Sequence, residues 1–235
     1  MTILRGSIPT KNHLLSVCVR LFLEQGYKQT TVRQIASEAG VSVSSFQNFF
    51  GSKDGVLGEL IAFMFGGQFG AARDIVGAEL PPVYTYAAET AIQLVLTEFN
   101  ENLRDIYLEA YSLPNTSEYI FQHTARELRR IFGAYLPDYS ESDFYETEIG
   151  TAGIMRGYMA RKCDIHFSLE KKVERFLTVS LRAYRVPEEE QAEVLAYIGK
   201  INLRALADEV MQKLFAALEM KFDFTLAKTD EKKEP

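Results

Sequence analysis

The sequence predicts an all-α protein in which an N-terminal three-helix unit precedes a larger helical bundle. Apolar residues recur at the 3.6-residue period of a helix through most of the chain, and no segment alternates as a strand would. Glycine and proline residues separate the periodic segments. Of the 235 residues 47% are hydrophobic and 25% are charged, which is typical of an ordinary globular protein.

The first predicted helices have clear start and stop signals. Thr10 is expected to cap a helix that ends at Gly26. Ser52 or the residue beside it is expected to cap a later helix, with Asp54 in its first turn, where the helix dipole favours an acid. Beyond Pro82, one sustained stripe predicts a single helix ending before Pro114, formed by Ala88, Ile92, Val95, Phe99, Leu103, Ile106 and Ala110.

Three more helices are predicted around residues 120–135, 144–158 and 168–185. Pro187 followed by Glu188, Glu189 and Glu190 is expected to start the last long helix, because proline and acids suit a first turn.

Residues 31–50 predict two short helices joined by a tight turn. Thr31 caps the first helix, Gly40 permits a left-handed backbone at the turn, and Ser42 caps the second. Ala36 and Ala39 are small, so the second helix can cross closely over the first. The segment is therefore predicted to form a helix-turn-helix.

The second of these helices is expected to present Val43, Ser44, Ser45, Gln47 and Asn48 outward. Hydroxyls and amides of this kind can reach base edges or phosphates in a DNA major groove. Residues 1–53 hold six basic and two acidic residues, a net charge of +4, which leaves −10 for the rest of a chain whose total is −6. A basic head on an acidic body is expected if only the head meets an anionic partner. Lys53 is expected to reach a phosphate as a point charge, with Arg33 adding charge at the flank.

The stretch LFLEQGYKQTTVRQIASEAGVSVSSFQNFFGSKDGVL, residues 21–57, resembles the N-terminal DNA-binding domain of the tetracycline-repressor (TetR) family of transcriptional regulators. The matching elements are Leu21-Phe22, Gly26-Tyr27, Thr30-Thr31-Val32, Ile35-Ala36, Ala39-Gly40-Val41-Ser42, Phe49-Phe50 and Ser52-Lys53-Asp54. The resemblance implies phosphate contacts for Thr31 and Lys53 and groove reading for residues 42–48. The chain departs from the family at Gln47, where tyrosine is usual, and at Ser44, where glycine is frequent.

With this resemblance, the expected domains are a TetR-type DNA-binding domain at residues 8–68, a helical effector-binding and dimerisation domain at 69–226, and a charged disordered tail at 227–235. The expected partners are a pseudo-palindromic double-stranded DNA operator, a second copy of the chain and a small-molecule effector of unknown identity. We expect a cytoplasmic repressor with no cofactor, no metal and no membrane association. No apolar run approaches the ~18 residues of a membrane span.

A symmetric dimer is expected because one helix-turn-helix reads only a half-site. The residues predicted to line its interface are Phe176, Leu177, Leu181, Leu203, Leu206, Val210, Leu214 and Leu218. The alternative is that both apolar faces of these helices are buried within one subunit.

Aromatic and methionine side chains of the middle helices are candidates for the effector site. They are Phe99, Leu103, Tyr107, Tyr111, Phe121, His123, Met155 and Tyr158. Such residues at helical spacing also suit plain core packing, so this alternative stays open.

Two other functions remain as alternatives, a DNA-binding architectural protein without an effector and a helical enzyme. The sequence offers three histidines and no phosphate-binding glycine loop. Cys163 and His166 lie close together in a predicted loop, but no third group orients them, which favours a structural role.

Overall fold

The computed structural model describes residues 7–77 and 79–222, and within these ranges it contains eleven α-helices and no strand. The predicted all-α fold is confirmed. The predicted tail at residues 227–235 lies outside the described residues. The helices are α1 (Ser7–Gln25), α2 (Val32–Glu38), α3 (Val43–Phe50), α4 (Lys53–Val76), α5 (Pro82–Phe99), α6 (Glu101–Ala110), α7 (Pro114–Phe132), α8 (Glu141–Ala160), α9 (Leu169–Ala183), α10 (Glu188–Ile198) and α11 (Leu203–Phe222).

Helix α5 is the centre of the molecule. Every residue from 83 to 97 is buried, and α5 contacts α4 and each of the helices α6 to α11. A helix that is covered on all sides belongs to the core. The body of the protein is therefore a bundle arranged around α5, and the head, formed by α1 to α3 and the start of α4, lies at one end of it.

Two predicted long helices are each broken. The stripe through Phe99 and Leu103 is interrupted at Asn100, whose extended backbone (φ −129°, ψ 110°) ends α5 while its side chain accepts a hydrogen bond from Leu103 N at 2.9 Å and caps α6. The helix predicted from Pro187 ends at Ile198 and a second one begins at Leu203. The prediction for Thr10 is also wrong, because α1 begins at Ser7 and Thr10 lies inside it.

Helix α4 corrects the expectation that no segment could span a membrane. By length and composition alone it is apolar enough to do so, with a mean hydropathy of 1.3 over an 18-residue window. Leu57, Ile61 and Phe65 on this helix are fully buried in the protein core. Since core helices of globular proteins pass the same test, the apolar character of α4 is accounted for by its packing.

Candidate nucleic-acid interface and ligand cavity

The turn between α2 and α3 has the predicted geometry. The Thr31 hydroxyl oxygen accepts a hydrogen bond from Gln34 N at 3.2 Å, and the Ser42 hydroxyl oxygen accepts one from Ser45 N at 3.0 Å. Gly40 adopts φ +66°, the left-handed region in which a side chain is strained. Both capping predictions and the role of the turn glycine are confirmed.

Helix α3 is anchored on one side and exposed on the other. Phe46 is fully buried and Phe50 is 9% exposed, with their ring centroids 5.4 Å apart. The ammonium of Lys11 in α1 lies 5.5 Å from the centre of the Phe50 ring. These contacts fix the orientation of α3 and direct its other face to solvent.

The predicted outward side chains lie on that exposed face. Ser42, Val43, Ser44, Gln47 and Asn48 are exposed and Ser45 is half-buried. Within the part of the chain that the structure describes, the side-chain amides of Gln47 and Asn48 form no hydrogen bond. Two uncommitted amides on a protruding helix are free to bind an external partner.

Thr31 and Arg33 are also exposed, at the start of α2. The hydroxyls of Ser44 and Ser45 lie 2.8 Å and 2.9 Å from that of Ser42. These serines therefore form one small hydroxyl cluster at the beginning of α3.

Lys53 is placed differently from expectation. Its ammonium donates to the carbonyl oxygens of Tyr27 at 2.7 Å and Thr30 at 3.0 Å, and lies 4.0 Å from the centre of the Tyr27 ring. Burial lowers the pKa of this ammonium, and the nearby Asp54 and Glu109 carboxylates oppose that shift. Lys53 thus holds the loop between α1 and α2 instead of projecting as a free charge, and its phosphate contact stays a prediction.

The head is attached to the body through α6. The side-chain amide of Asn102 donates to Leu23 O at 2.8 Å, and Lys28 forms an ion pair with Glu109 at 3.2 Å. Asn102 also lies against Gly26, where an added Cβ would meet its Oδ1 at 3.0 Å. A movement of α6 will therefore also displace the end of α1.

Two of the cavities in the body adjoin each other at Glu89 and Gln93. The larger has a volume of about 310 Å³ and lies between α4, α5, α6 and α11, a size suited to small ligands. It is lined by Phe63, Met64, Gly67, Gln68, Ala71, Asp74, Ile75, Glu89, Ile92, Gln93, Leu96, Tyr107, Val210 and Lys213. The smaller measures about 20 Å³ and shares Glu89 and Gln93 with it.

Three of the predicted effector residues line these cavities. Tyr107 borders the larger one, and Tyr111 and Met155 border the smaller one.

The other five predicted effector residues line neither of these two cavities, and their role in effector binding stays a prediction. Phe99 is 44% exposed with the Arg204 guanidinium 4.9 Å from its ring centre, and Leu103 is plain core. The remaining three contact other aromatic side chains, in the pairs Phe121–Tyr145, His123–Tyr119 and Tyr158–Phe167.

Two buried acids in these cavities were missed by sequence reasoning. Glu89 is 3% exposed and Glu148 is 6% exposed. Burial raises the pKa of Glu89 to about 7, opposed by its hydrogen bond from Gln93. Burial raises the pKa of Glu148 to about 8, opposed by a hydrogen bond from Thr151 and assisted by the nearby Glu89. The signal for Glu89 was its position as the one charged residue among residues 82–97, a stretch that is otherwise uncharged.

Several predicted dimer residues face the interior of the protomer. Phe176, Leu177 and Leu181 are at most 1% exposed, so their side chains pack inside the protomer in this arrangement. Leu206 is 9% exposed and Val210 lines the larger cavity, so both are also directed inward. Leu203 is half-buried, while the side chains of Leu214 and Leu218 lie outside the described residues.

Cys163 does not have the environment of an activated nucleophile. Burial raises the pKa of its thiol, and its backbone N–H donates to Glu98 Oε1 at 2.9 Å. A reactive cysteine requires a depressed pKa. The loop therefore has the structural character that the sequence favoured.

Comparison with known proteins identifies the head. Residues 14–60 match the family described as bacterial regulatory proteins, tetR family. This segment of the chain is a TetR-type DNA-binding domain. The match spans α1 to α3 and the first part of α4, which is the segment whose geometry is described above.

The relatives to which the chain is similar are described as regulators as well. It is 28% identical over 188 residues to the HTH-type transcriptional repressor KstR2 of Rhodococcus jostii (strain RHA1), covering 77% of this chain and 82% of the relative. It is 45% identical over 47 residues to the HTH-type transcriptional regulator HbdR of Aromatoleum sp. (strain CIB), covering 20% of each chain. A crystal structure of a gamma-butyrolactone receptor (ArpA-like protein) aligns with a TM-score of 0.46 at 15% identity, covering 85% of this chain and 97% of that one. The protein is a DNA-binding regulator of transcription.

Proposed function

We propose that this protein is a TetR-family repressor that binds a pseudo-palindromic DNA operator as a homodimer and is released by a small-molecule effector. The observation that carries the proposal is the course of α4. This helix begins at Lys53, directly after α3, and its second half lines the larger cavity through Met64, Gln68 and Ile75. A ligand that moves α4 therefore also moves the head.

The effect of a ligand on DNA binding depends on the difference between its affinities for two arrangements of the protein. The protein has one arrangement that binds the operator and one that does not. A ligand releases DNA only if its affinity for the second arrangement is higher than its affinity for the first. Helix α6 offers a second connection, because Tyr107 lines the cavity while Asn102 on the same helix holds the end of α1.

For DNA recognition we propose that Gln47 and Asn48 read base edges, since amides can pair bidentately with adenine. Ser42, Val43, Ser44 and Ser45 complete the groove surface of α3. Thr31, Arg33 and Lys53 serve the phosphates, Lys53 by holding the loop that precedes α2. No basic residue lies on α3 itself, so affinity depends on flanking charges and should fall steeply with salt.

The homodimer is proposed on symmetry, because one α3 covers a single half-site. Since Phe176, Leu177 and Leu181 are committed to the core, α9 can contribute only its outward face. That face carries Arg175, Val179 and Arg182, of which Val179 is 42% exposed. Leu203, Leu214 and Leu218 of α11 stay part of the proposed interface.

The proposed domains share α4. A DNA-binding domain at residues 8–68 and an effector and dimerisation domain at residues 69–226 meet within this continuous helix. We propose that the protein acts in the cytoplasm, where DNA is accessible.

The proposal is tested by gel-shift titration of the purified protein with the DNA upstream of its own gene, repeated in the presence of a metabolite panel. Specific retardation that one compound reverses is the expected result. Retardation that no compound affects would favour an architectural DNA-binding protein, and the absence of specific binding would contradict both.

A further inference from the structure

The polar wall between the two cavities indicates the charge of the ligand. We propose that the effector is an organic cation, a protonated amine on an apolar body, and that the carboxylates of Glu89 and Glu148 receive its ammonium group. This inference rests on the effector-binding function proposed above and names the chemical class of that effector.

The smaller cavity is bordered by acceptor oxygens that lack cationic donors. Glu148 accepts hydrogen bonds from Thr151 at 2.8 Å and Tyr184 at 3.4 Å, and Glu89 accepts one from Gln93. Among the side chains that the structure describes, neither carboxylate is ion-paired with a lysine, arginine or histidine. Two buried carboxyls without a cation are costly to ionise.

Thr124 supplies an independent sign that this cavity binds a polar group. Its side chain is 6% exposed and lines the same cavity, and its hydroxyl oxygen has no hydrogen-bond partner among the described residues. Buried hydroxyls are normally paired. An ammonium group offers three donors and no acceptor, whereas a carboxylate or phosphate would bring further acceptors against Glu89 and Glu148.

The space fits a ligand with a small polar end and a larger apolar end. The smaller cavity, about 20 Å³, has room for a group of the size of a water molecule or an ammonium. Across the shared wall of Glu89 and Gln93, the larger cavity of about 310 Å³ offers Ile92, Leu96 and Met64 to an apolar body.

The other titratable groups around the two acids do not compensate the negative charge of the ionised Glu89 and Glu148 carboxylates. Burial is the main cause that raises the pKa of each surrounding tyrosine, so all four are neutral near pH 7: Tyr86, Tyr107, Tyr111 and Tyr184. In the larger cavity Asp74 adds a further acid, and the Lys213 ammonium is paired with Glu209 at 2.6 Å. Burial raises the pKa values of Glu89 and Glu148 to about 7 and 8, so a cation that stabilises their ionised forms must displace protons to the solvent.

The test compares three ligands that share one apolar body: phenylbutylamine, phenylbutanol and phenylbutanoate. Isothermal titration calorimetry of the purified full-length protein, without DNA, measures their affinities in two buffers of different ionisation enthalpy. We expect the amine to bind on the order of tenfold more tightly than the alcohol, as a charge-assisted hydrogen bond implies, with proton release. The carboxylate should bind weakest.

Variants Glu89→Gln and Glu148→Gln should lose the preference for the amine and the proton release while retaining the affinity for the alcohol. Glu146→Gln, an exposed position on α8, is the matched control and should behave as the wild type. The proposal is overturned if the carboxylate binds as tightly as the amine, if the preference persists in the two variants, or if the amine does not bind at millimolar concentration. A gel shift reversed by a neutral or anionic compound would also overturn it, but would leave the repressor function standing.

Discussion

Gly55→Ala would place a methyl group against the last carbonyl of α3. An ideal Cβ at this position lies 2.1 Å from Phe50 O, whereas a carbon and a carbonyl oxygen ordinarily approach to about 3.3 Å. The obstacle is backbone, so no side-chain rotation relieves it, and α3 must move by about 1 Å relative to α4. Overpacking of this kind costs about 1–3 kcal/mol, and the better helix propensity of alanine offsets about 1 kcal/mol of it.

Gly58→Ala is the matched control one turn later on α4. No atom lies within 4 Å of its added Cβ, so this variant should be more stable than the wild type by about 0.5–1 kcal/mol. Urea unfolding followed by far-UV circular dichroism measures both changes, and a gel shift measures the loss of operator affinity expected for Gly55→Ala alone. If the two variants were equally stable and bound DNA equally, the close packing of α3 on α4 described here would be wrong.

Three other predictions concern the buried acid, the loop clamp and the turn. Burial raises the pKa of Glu148 from its ordinary 4.5 to about 8 in the folded protein, so the wild type should lose stability as pH rises between about 5 and 8. Glu148→Gln should lose less, and thermal melts across this range check it. Lys53→Ala removes two hydrogen bonds to backbone carbonyls and should lower the unfolding free energy by about 1–3 kcal/mol, with operator and random DNA binding weakened equally in a competition assay. Gly40→Ala has open space around its Cβ but φ +66°, so it should cost about 1–2 kcal/mol in urea unfolding, and Gly40→Asn should cost less.

The head was predictable because its signals are local. A cap such as Thr31 or Ser42 acts on an amide three residues away, and Gly40 acts on its own backbone, so neighbouring residues alone determine these features. The break at Asn100 was missed for the opposite reason. The apolar stripe keeps its spacing across the break, and only the capping side chain marks it.

The body was less predictable because its cavities depend on how helices cross. Tyr107 and Leu103 lie one turn apart on α6, yet only Tyr107 borders a cavity. Phe176 and Leu181 have the same apolar character as an interface residue, and their burial against the protomer follows from the arrangement of α5, α8 and α9. Periodicity shows which side chains share a face, but it does not show what that face meets.

The central claim is that the exposed face of α3 reads DNA sequence, and selection of bound duplexes from a randomised pool tests it most directly. The wild type should enrich a pseudo-palindrome with half-sites about 10 base pairs apart or a multiple of that spacing, and Gln47→Ala and Asn48→Ala should change the enriched bases. An unenriched pool, or a motif identical in the wild type and both variants, would contradict the account.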